Sequence, residues 1–501
     1  MRISVDLRMA MIAGLSPVLL LPQGCTVGPR YHPPAAPAVT AYTLQPQPAE
    51  TANSNGTAGA PQHFSASAAL PAQWWTLFGS PQLDSMVRDA LSNSPTLDSA
   101  TARLKQAQEE LRARTGTTKY PTVNGNASVE GEQQNLAAFG IPFPNPSPFA
   151  LLNGSVGVSY ALDLFGANRR LIEELRAQDE YQQWQLEGAR LMLAGNVISA
   201  AIQQAQLRAR IDIARQMVDV EEQELRIAEQ RYRAGGISDY DLRSQRTLLA
   251  QTQATLPPLE QQLDVLNDQI AVLIGISPAK APVQSVSLDS LQLPRELPLS
   301  VPSSLVRQRP DVRAAESLLH QASANVGVAT ASLYPQIVLS GSAGAIGTSF
   351  ISGGDVWNIG ASLAQPVYNG GALRAEKRKA QAAYDEAGSE YRQTVLQAFQ
   401  QVADTLYAIQ NDALTLQART VAASEASAAC QVASQRYQAG GISQLALLEA
   451  QRQQLQTALD RTDSVASRYT DTATLFQALG GGWWNDAPHP GAEAKPARAS
   501  H

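Results

Sequence analysis

Gln230-Arg231-Tyr232-Arg233-Ala234-Gly235-Gly236-Ile237-Ser238 returns as Gln435-Arg436-Tyr437-Gln438-Ala439-Gly440-Gly441-Ile442-Ser443, identical at eight of nine positions after an offset of 205 residues. Upstream, Lys119-Tyr120-Pro121-Thr122-Val123 answers to Leu333-Tyr334-Pro335-Gln336-Ile337, and Leu164-Phe165-Gly166 to Val367-Tyr368-Asn369. Recurrence of several motifs in one order is the signature of a duplicated structural unit. Each copy reads as helix, Tyr-Pro, strand pair, aromatic turn, very long helix, Gly-Gly turn, helix. The glycines suit a helix end where the chain must reverse through a conformation that a Cβ strains.

Within each copy the hydrophobic period changes between 3.5 and 2. Val395, Val402, Ile409, Leu416, Ala423, Cys430 and Tyr437 are spaced at seven residues. The first copy places Val197, Ile211, Val218, Leu225 and Tyr232 in the same register, with Gln204 as a polar interruption. Sustained heptads predict helices supercoiled against neighbours. From Ala167 to Ala234 there are 68 residues without proline, enough for a helix roughly 100 Å long at about 1.5 Å per residue. Cys430 takes the heptad position equivalent to Leu225, so it reads as a small apolar core residue.

Between those helices, Val123, Gly125, Ala127 and Val129 alternate with Asn124, Asn126, Ser128 and Glu130, and Val156, Val158, Tyr160, Leu162 and Leu164 with Gly157, Ser159, Ala161 and Asp163. The second copy gives Ile337, Leu339 and Gly341 against Ser340 and Ser342, then Trp357, Ile359, Ala361 and Leu363 against Asn358, Gly360 and Ser362. Apolar-out, polar-in segments of about ten residues are what a membrane β-barrel uses. Four strands cannot close a barrel, because the smallest use about eight. The chain must therefore oligomerise; three copies would close a ring of 12 strands, and a dimer of eight is also open. Pro142, Pro144, Pro146 and Pro148 beside Phe139, Phe143 and Phe149 read as a stiff loop at one mouth of that barrel.

Composition narrows the functions. Charged residues are 16% of 501, and 38 basic against 44 acidic residues leave a net charge of -6. No cation excess exists to neutralise phosphates, which argues against nucleic acid. Two cysteines, Cys25 and Cys430, and five histidines without metal-ligand spacing give no zinc site, disulfide framework or cofactor motif. No catalytic constellation is present and no enzyme is expected. Arg2 and Arg8 flank the apolar run Met9 to Leu21, too short for a spanning helix and right for an export signal over residues 1–24. Leu21-Pro22-Gln23-Gly24-Cys25 resembles a lipoprotein box with Pro22 in an aliphatic position, making Cys25 the expected lipid anchor, against ordinary cleavage that leaves a free thiol. Residues 25–81 read as anchor and extended linker, 82–284 and 302–480 as the two repeats, and 481–501 as a disordered tail.

Trp74-Trp75-Thr76-Leu77-Phe78 with Pro81 and Leu83, the two Tyr-Pro junctions, Arg309-Pro310-Asp311-Val312 and the duplicated Tyr-x-Ala-Gly-Gly-Ile-Ser tips together resemble the TolC-like outer-membrane factors, in particular the OprM/NodT-type efflux lipoproteins. The resemblance implies a homotrimer in the outer membrane of a Gram-negative bacterium, with a transmembrane β-barrel continuous with a coiled-coil α-helical barrel. It implies a passive exit duct, driven by an inner-membrane pump, expected to be of the resistance-nodulation-division type, through a periplasmic adaptor. The rival readings are a stand-alone diffusion channel, the exit duct of a type I secretion system and a coiled-coil scaffold. In the family, aromatic and acidic residues at the tips constrict the channel. Tyr232, Asp239, Asp241, Tyr437 and Glu449 are the corresponding gate candidates; Arg231, Gly235, Gly236, Arg436, Gly440 and Gly441 form the expected adaptor-docking tips. Ala446 stands where some relatives carry an Asp, which leaves Glu449 as the main carboxylate of the second tip.

Overall fold

Pro121 and Pro335 each end a helix and open a strand, because proline lacks the N–H a helix needs and pushes its predecessor to extended backbone. The computed structural model describes residues 26–485 except 36, 66–67, 134–139, 141–146, 281–283 and 350–352. The export signal, Cys25, Phe139, Pro142, Phe143, Pro144 and Pro146 lie outside the described residues. In chain order the elements are β1 (His63–Ser65), α1 (Pro81–Asn93), α2 (Pro95–Lys119), β2 (Thr122–Glu132), β3 (Phe149–Leu162), α3 (Ala167–Arg233), α4 (Asp239–Gln253), α5 (Leu256–Ile274), β4 (Glu296–Pro298), α6 (Pro302–Gln308), α7 (Pro310–Ala331), β5 (Gln336–Thr348), β6 (Gly354–Ala364), α8 (Ala372–Gln438) and α9 (Gln444–Ala478). Both α3 and α8 run for 67 residues, roughly 100 Å at about 1.5 Å per residue. The return path after the first Gly-Gly turn is split into α4 and α5 by Pro257 and Pro258, whereas α9 runs unbroken for 35 residues.

Two compact units divide the chain. Of the described residues, the first holds those in 26–34, 104–182 and 315–391, and its centre is an antiparallel sheet in the order β2-β3-β5-β6. The register pairs Val123 with Val158, Val158 with Gly341, and Gly341 with Ile359, so these positions share one face. Following the pairs outward, that face carries Val129, Leu152, Val156, Tyr160, Ile337, Leu339, Trp357 and Leu363. The other face carries Asn124, Asn126, Ser128, Ser155, Ser159, Ser340, Ser342, Asn358 and Ser362. Among the described residues no layer covers the apolar face: Val123, Val129, Trp357 and Ile359 are 63%, 72%, 69% and 83% exposed. The period-2 reading holds for all four strands, and β3 and β5 extend further towards the loops than the alternation indicated. β3 also ends at Leu162, before the Leu164 that the alternation had included.

At the start of the described chain, Val27 N–H donates to the Phe165 carbonyl at 3.1 Å. Arg170 Nε reaches the Val27 carbonyl at 3.3 Å, and Tyr31 stacks on His320 with ring centroids 4.2 Å apart. Gly28 sits at φ +93 against Gly327, where a Cβ would meet backbone at 2.6 Å. The segment is thus seated beside the β3–α3 turn.

The second unit holds residues 35–103, 183–314 and 392–485. Trp74, Phe78, Tyr469 and Phe476 are buried as an aromatic cluster, with ring centroids 5.8 to 6.3 Å apart for Trp74–Phe476, Phe78–Tyr469 and Phe78–Phe476. Trp74 and Phe78 fall within the stretch read as linker up to residue 81, and their large apolar side chains pack into the core. Upstream, Arg468, 1% exposed, donates to the Ala58 carbonyl, to Thr51 Oγ1 and to Gln62 Oε1. Desolvation pulls the Arg468 guanidinium down to about 10. Arg309 Nε and Nη2 grip the Asp311 carboxylate at 2.9 and 2.6 Å, while Nη1 donates to the Ala478 carbonyl at 2.9 Å. Its role in the Arg-Pro-Asp-Val motif is to close the C-terminal end of α9, whose carbonyls have no helical partner. Gly481 to Asn485, the start of the expected tail, form a turn in which Trp483 packs on Trp184.

Candidate functional site at the glycine turns

The two turns are built alike. Gly235 at φ +72 and Gly440 at φ +76 take the left-handed conformation, and among the described residues nothing beyond the chain neighbours lies within 4 Å of where their Cβ would be. The conformation favours glycine there, because most residues with a Cβ are strained in it. Gly236 N–H donates to the Arg231 carbonyl and Gly441 N–H to the Arg436 carbonyl, each at 2.7 Å. Gly235 donates to the Tyr232 carbonyl at 2.9 Å and Gly440 to the Tyr437 carbonyl at 3.0 Å. These bonds satisfy carbonyls left open at a helix end. Ser238 and Ser443 then cap the return helices, accepting from Asp241 N–H at 3.1 Å and Ala446 N–H at 3.3 Å.

The carboxylates are placed differently. Asp241 Oδ2 accepts from Ser238 N–H at 3.2 Å, completing a capping box, which satisfies two open donors reciprocally. Asp239 pairs with Arg243 at 2.7 Å and Glu449 with Arg452 at 3.3 Å, both on the exposed surface. Tyr232 is 42% exposed. Tyr437 donates to Gln444 Oε1 at 2.6 Å, and the Arg231 guanidinium lies 4.9 Å above the Tyr437 ring. Within the chain, therefore, Arg231 and Tyr437 meet across the two hairpins, whereas Asp239, Asp241 and Glu449 are held by partners on their own helices.

Above the turns lies a buried polar layer. Gln444 Nε2 donates to Gln245 Oε1 at 2.9 Å, linking α9 to α4, and Gln451 Nε2 donates to a Glu224 oxygen, linking α9 to α3. Glu221, 1% exposed, accepts from Thr252 Oγ1 at 3.0 Å through one oxygen, and its other oxygen has no hydrogen-bond partner among the described residues. Burial pushes the Glu221 carboxyl up to about 7, with a further push from Glu224. Burial also raises Glu224 and the Cys430 thiol. The heptad reading followed Val218 and Leu225, which are only half-buried; the buried seam here is Ala214, Glu221 and Ala228, also seven apart. Ala423 and Tyr437 are likewise only half-buried, and Cys430 is buried as expected. Glu221 and its neighbours escaped the sequence reading because polar residues at seam positions look like solvent-facing ones. Gln204, the polar interruption named in the heptads, is fully buried and donates to Asn267 Oδ1 at 2.7 Å.

A pH prediction follows from Glu221. Its folded pKa is raised, so the folded state holds the proton that the unfolded chain gives up near the ordinary carboxyl value. Stability from this layer is fullest at acid pH and falls as pH rises from the ordinary carboxylate range to about 7. Glu221→Gln is expected to flatten that fall and raise the thermal midpoint at pH 8 relative to wild type. Thermal melts between pH 5 and 8 test this; equal pH dependence in both proteins would refute it.

The chain also has relatives. The family model described as outer membrane efflux protein matches residues 86–275 and 301–481. The chain is similar to the pyoverdine export outer membrane protein OpmQ of Pseudomonas aeruginosa, 33% identical over 434 residues that cover 83% of this chain and 88% of the relative. It is 27% identical to the cation efflux system protein CusC of Escherichia coli K12 over 481 residues, covering 93% of this chain and 100% of CusC. Among solved structures, the outer-membrane channel OprN matches with a TM-score of 0.80 and 28% identity over 92% of this chain and 100% of that one. With two strand pairs, two 67-residue helices and a family match across both halves, the chain belongs to the outer membrane efflux proteins of Gram-negative bacteria.

Proposed function

We propose that the protein is the passive outer-membrane duct of a tripartite efflux pump, acting as a homotrimer whose three four-stranded sheets close one 12-stranded barrel. The observation that carries this is the uncovered apolar face of the sheet together with its open edges. β2 and β6 each pair on one side only, and an open edge cannot stand in lipid. A second copy supplies the missing neighbour, and a closed ring leaves no edge. Unpartnered apolar stripes on the helices support the same association. Tyr407, Leu414 and Val421 on α8 are 43%, 56% and 57% exposed at seven-residue spacing, as are Val220 and Ile227 on α3. Such stripes suit coiled-coil packing against neighbouring copies.

In this reading Cys25 carries the lipid, residues 82–284 and 302–480 are the two repeats, and the glycine tips are both gate and adaptor-docking surface. The cargo is handed over by an inner-membrane pump of the resistance-nodulation-division type. OpmQ and CusC are named for export of pyoverdine and of cations, and the chemical class of the cargo here follows from neither. No catalytic step is assigned. The test is co-purification from the native membrane. An adaptor and an inner-membrane pump should accompany the tagged duct, and efflux should fail in cells lacking it. Conductance in planar bilayers without any bound adaptor or pump, and unchanged efflux on deletion, would support a stand-alone channel instead.

A further inference from the structure

All four helix connections leave the sheet at one end. The pairs Thr122 with Ser159, Leu162 with Ile337, and Gln336 with Ala364 set the starts of β2 and β5 beside the ends of β3 and β6. At that end Val367 and Tyr368 are 95% and 90% exposed, and Tyr120 is 66% exposed. Immediately after them α8 opens with Arg374, Lys377, Arg378 and Lys379, four cations in six residues with only Glu376 among them. Lys379 pairs with Glu376 at 3.5 Å. Arg374, Lys377 and Arg378 have no ion-pair partner among the described residues.

The first copy treats the same place differently. Asp163 accepts from Asn168 and Arg169 N–H at 3.1 and 3.0 Å and pairs with the Arg169 side chain. Arg170 is buried against the Val27 and Gly28 carbonyls and Glu173. Where the first copy has Asp163 the second has Pro366. The second junction thus keeps its cations and lacks the acid that would neutralise them. They also sit in the first turns of α8, where the helix dipole disfavours positive charge. The chain as a whole is anionic at -6, so this patch is a local reversal of sign.

We infer that Arg374, Lys377 and Arg378 bind the headgroup of an anionic phospholipid in the periplasmic leaflet, with Val367 and Tyr368 set in its acyl boundary. The inference rests on the reading of the sheet as a membrane barrel. Exposed apolar and aromatic side chains followed within two helical turns by cations match the order of a leaflet, acyl chains first and phosphates next. The seating of Val27 on the Phe165 carbonyl brings the chain two residues after Cys25 to this same end, where an acyl anchor would enter that leaflet. Charge complementarity selects the anionic headgroup over a zwitterionic one.

The test uses the full mature protein in non-ionic detergent, exposed to mixed micelles of phosphatidylglycerol and phosphatidylcholine in equal amount, with retained lipid measured by mass spectrometry. Phosphatidylglycerol should be retained in preference, less so at high salt. The triple variant Arg374→Gln, Lys377→Gln, Arg378→Gln should lose that preference by roughly fivefold per cation removed, while running as the same oligomer and conducting as wild type. Equal retention of both lipids by wild type, or unchanged preference in the variant, overturns the inference. So does displacement of the lipid by millimolar inorganic phosphate, which would make this a site for free anions. A variant with altered ion preference and unaltered lipid retention would place the cations in the lumen and also overturn it. Failure of wild type to conduct at all would instead count against the duct reading, whatever lipid is retained.

Discussion

Val158→Arg is expected to leave the chain exported but unassembled, with the oligomer in outer-membrane extracts falling at least tenfold. Val158 is 42% exposed on the apolar face, paired with Val123 on β2 and Gly341 on β5. An arginine on the lipid face near the midplane costs about 2 to 4 kcal/mol, and a closed ring of identical chains incurs that cost once per copy. Ser159→Arg, one residue on, is the control. It pairs with Thr122 and Ser340 on the polar face and should assemble normally, since period 2 sends it to the face opposite Val158. Native mass spectrometry and semi-native gels measure the oligomer. Equal assembly of both variants would mean that the apolar face does not meet lipid, and the barrel reading would fall.

Much of this architecture is legible in the sequence for a physical reason. The strands announce themselves because one face of each must be apolar and the other polar, and the structure places Val123, Val158 and Ile359 on the face that alternation assigns them. The turns announce themselves because glycine takes φ +72 and φ +76 freely, where most residues with a Cβ are strained. What stayed hidden depends on partners far away in the chain. Gln245 and Gln444 meet across 199 residues, Glu224 and Gln451 across 227, and Arg468 and Gln62 across 406. None of those pairings leaves a local period. Asp241 is instructive in the opposite direction: the Ser238-Asp239-Tyr240-Asp241 spacing is that of a capping box, a local signal that accounts for its carboxylate before any gate is considered.

That accounting shapes the second large effect, at the tips. Gly440→Pro should abolish export, raising accumulation of the pump's cargo to the level of cells without a duct, while the protein still reaches the outer membrane. Proline fixes φ near -65°, opposite in sign to the +76° observed, and it removes the N–H that donates to the Tyr437 carbonyl at 3.0 Å. Distortion there carries directly to Tyr437, its bond to Gln444, and the Gln444–Gln245 link between hairpins. The sheet belongs to the other compact unit, so insertion is spared. Gly440→Asn, whose side chain tolerates the left-handed region and meets open space, should retain export. Gly235→Pro should behave as Gly440→Pro, since its turn has the same bonds. The carboxylates form the complementary arm. Asp241→Ala with Glu449→Ala should reduce cation preference in planar bilayers if symmetry gathers these groups around the axis. Because Asp241 also caps α4, Asp241→Asn, which keeps a capping side chain without the charge, separates gate from cap. Unchanged ion preference in the carboxylate variants, together with normal export in both proline variants, would reduce the tips to helix ends and remove the gate from the mechanism.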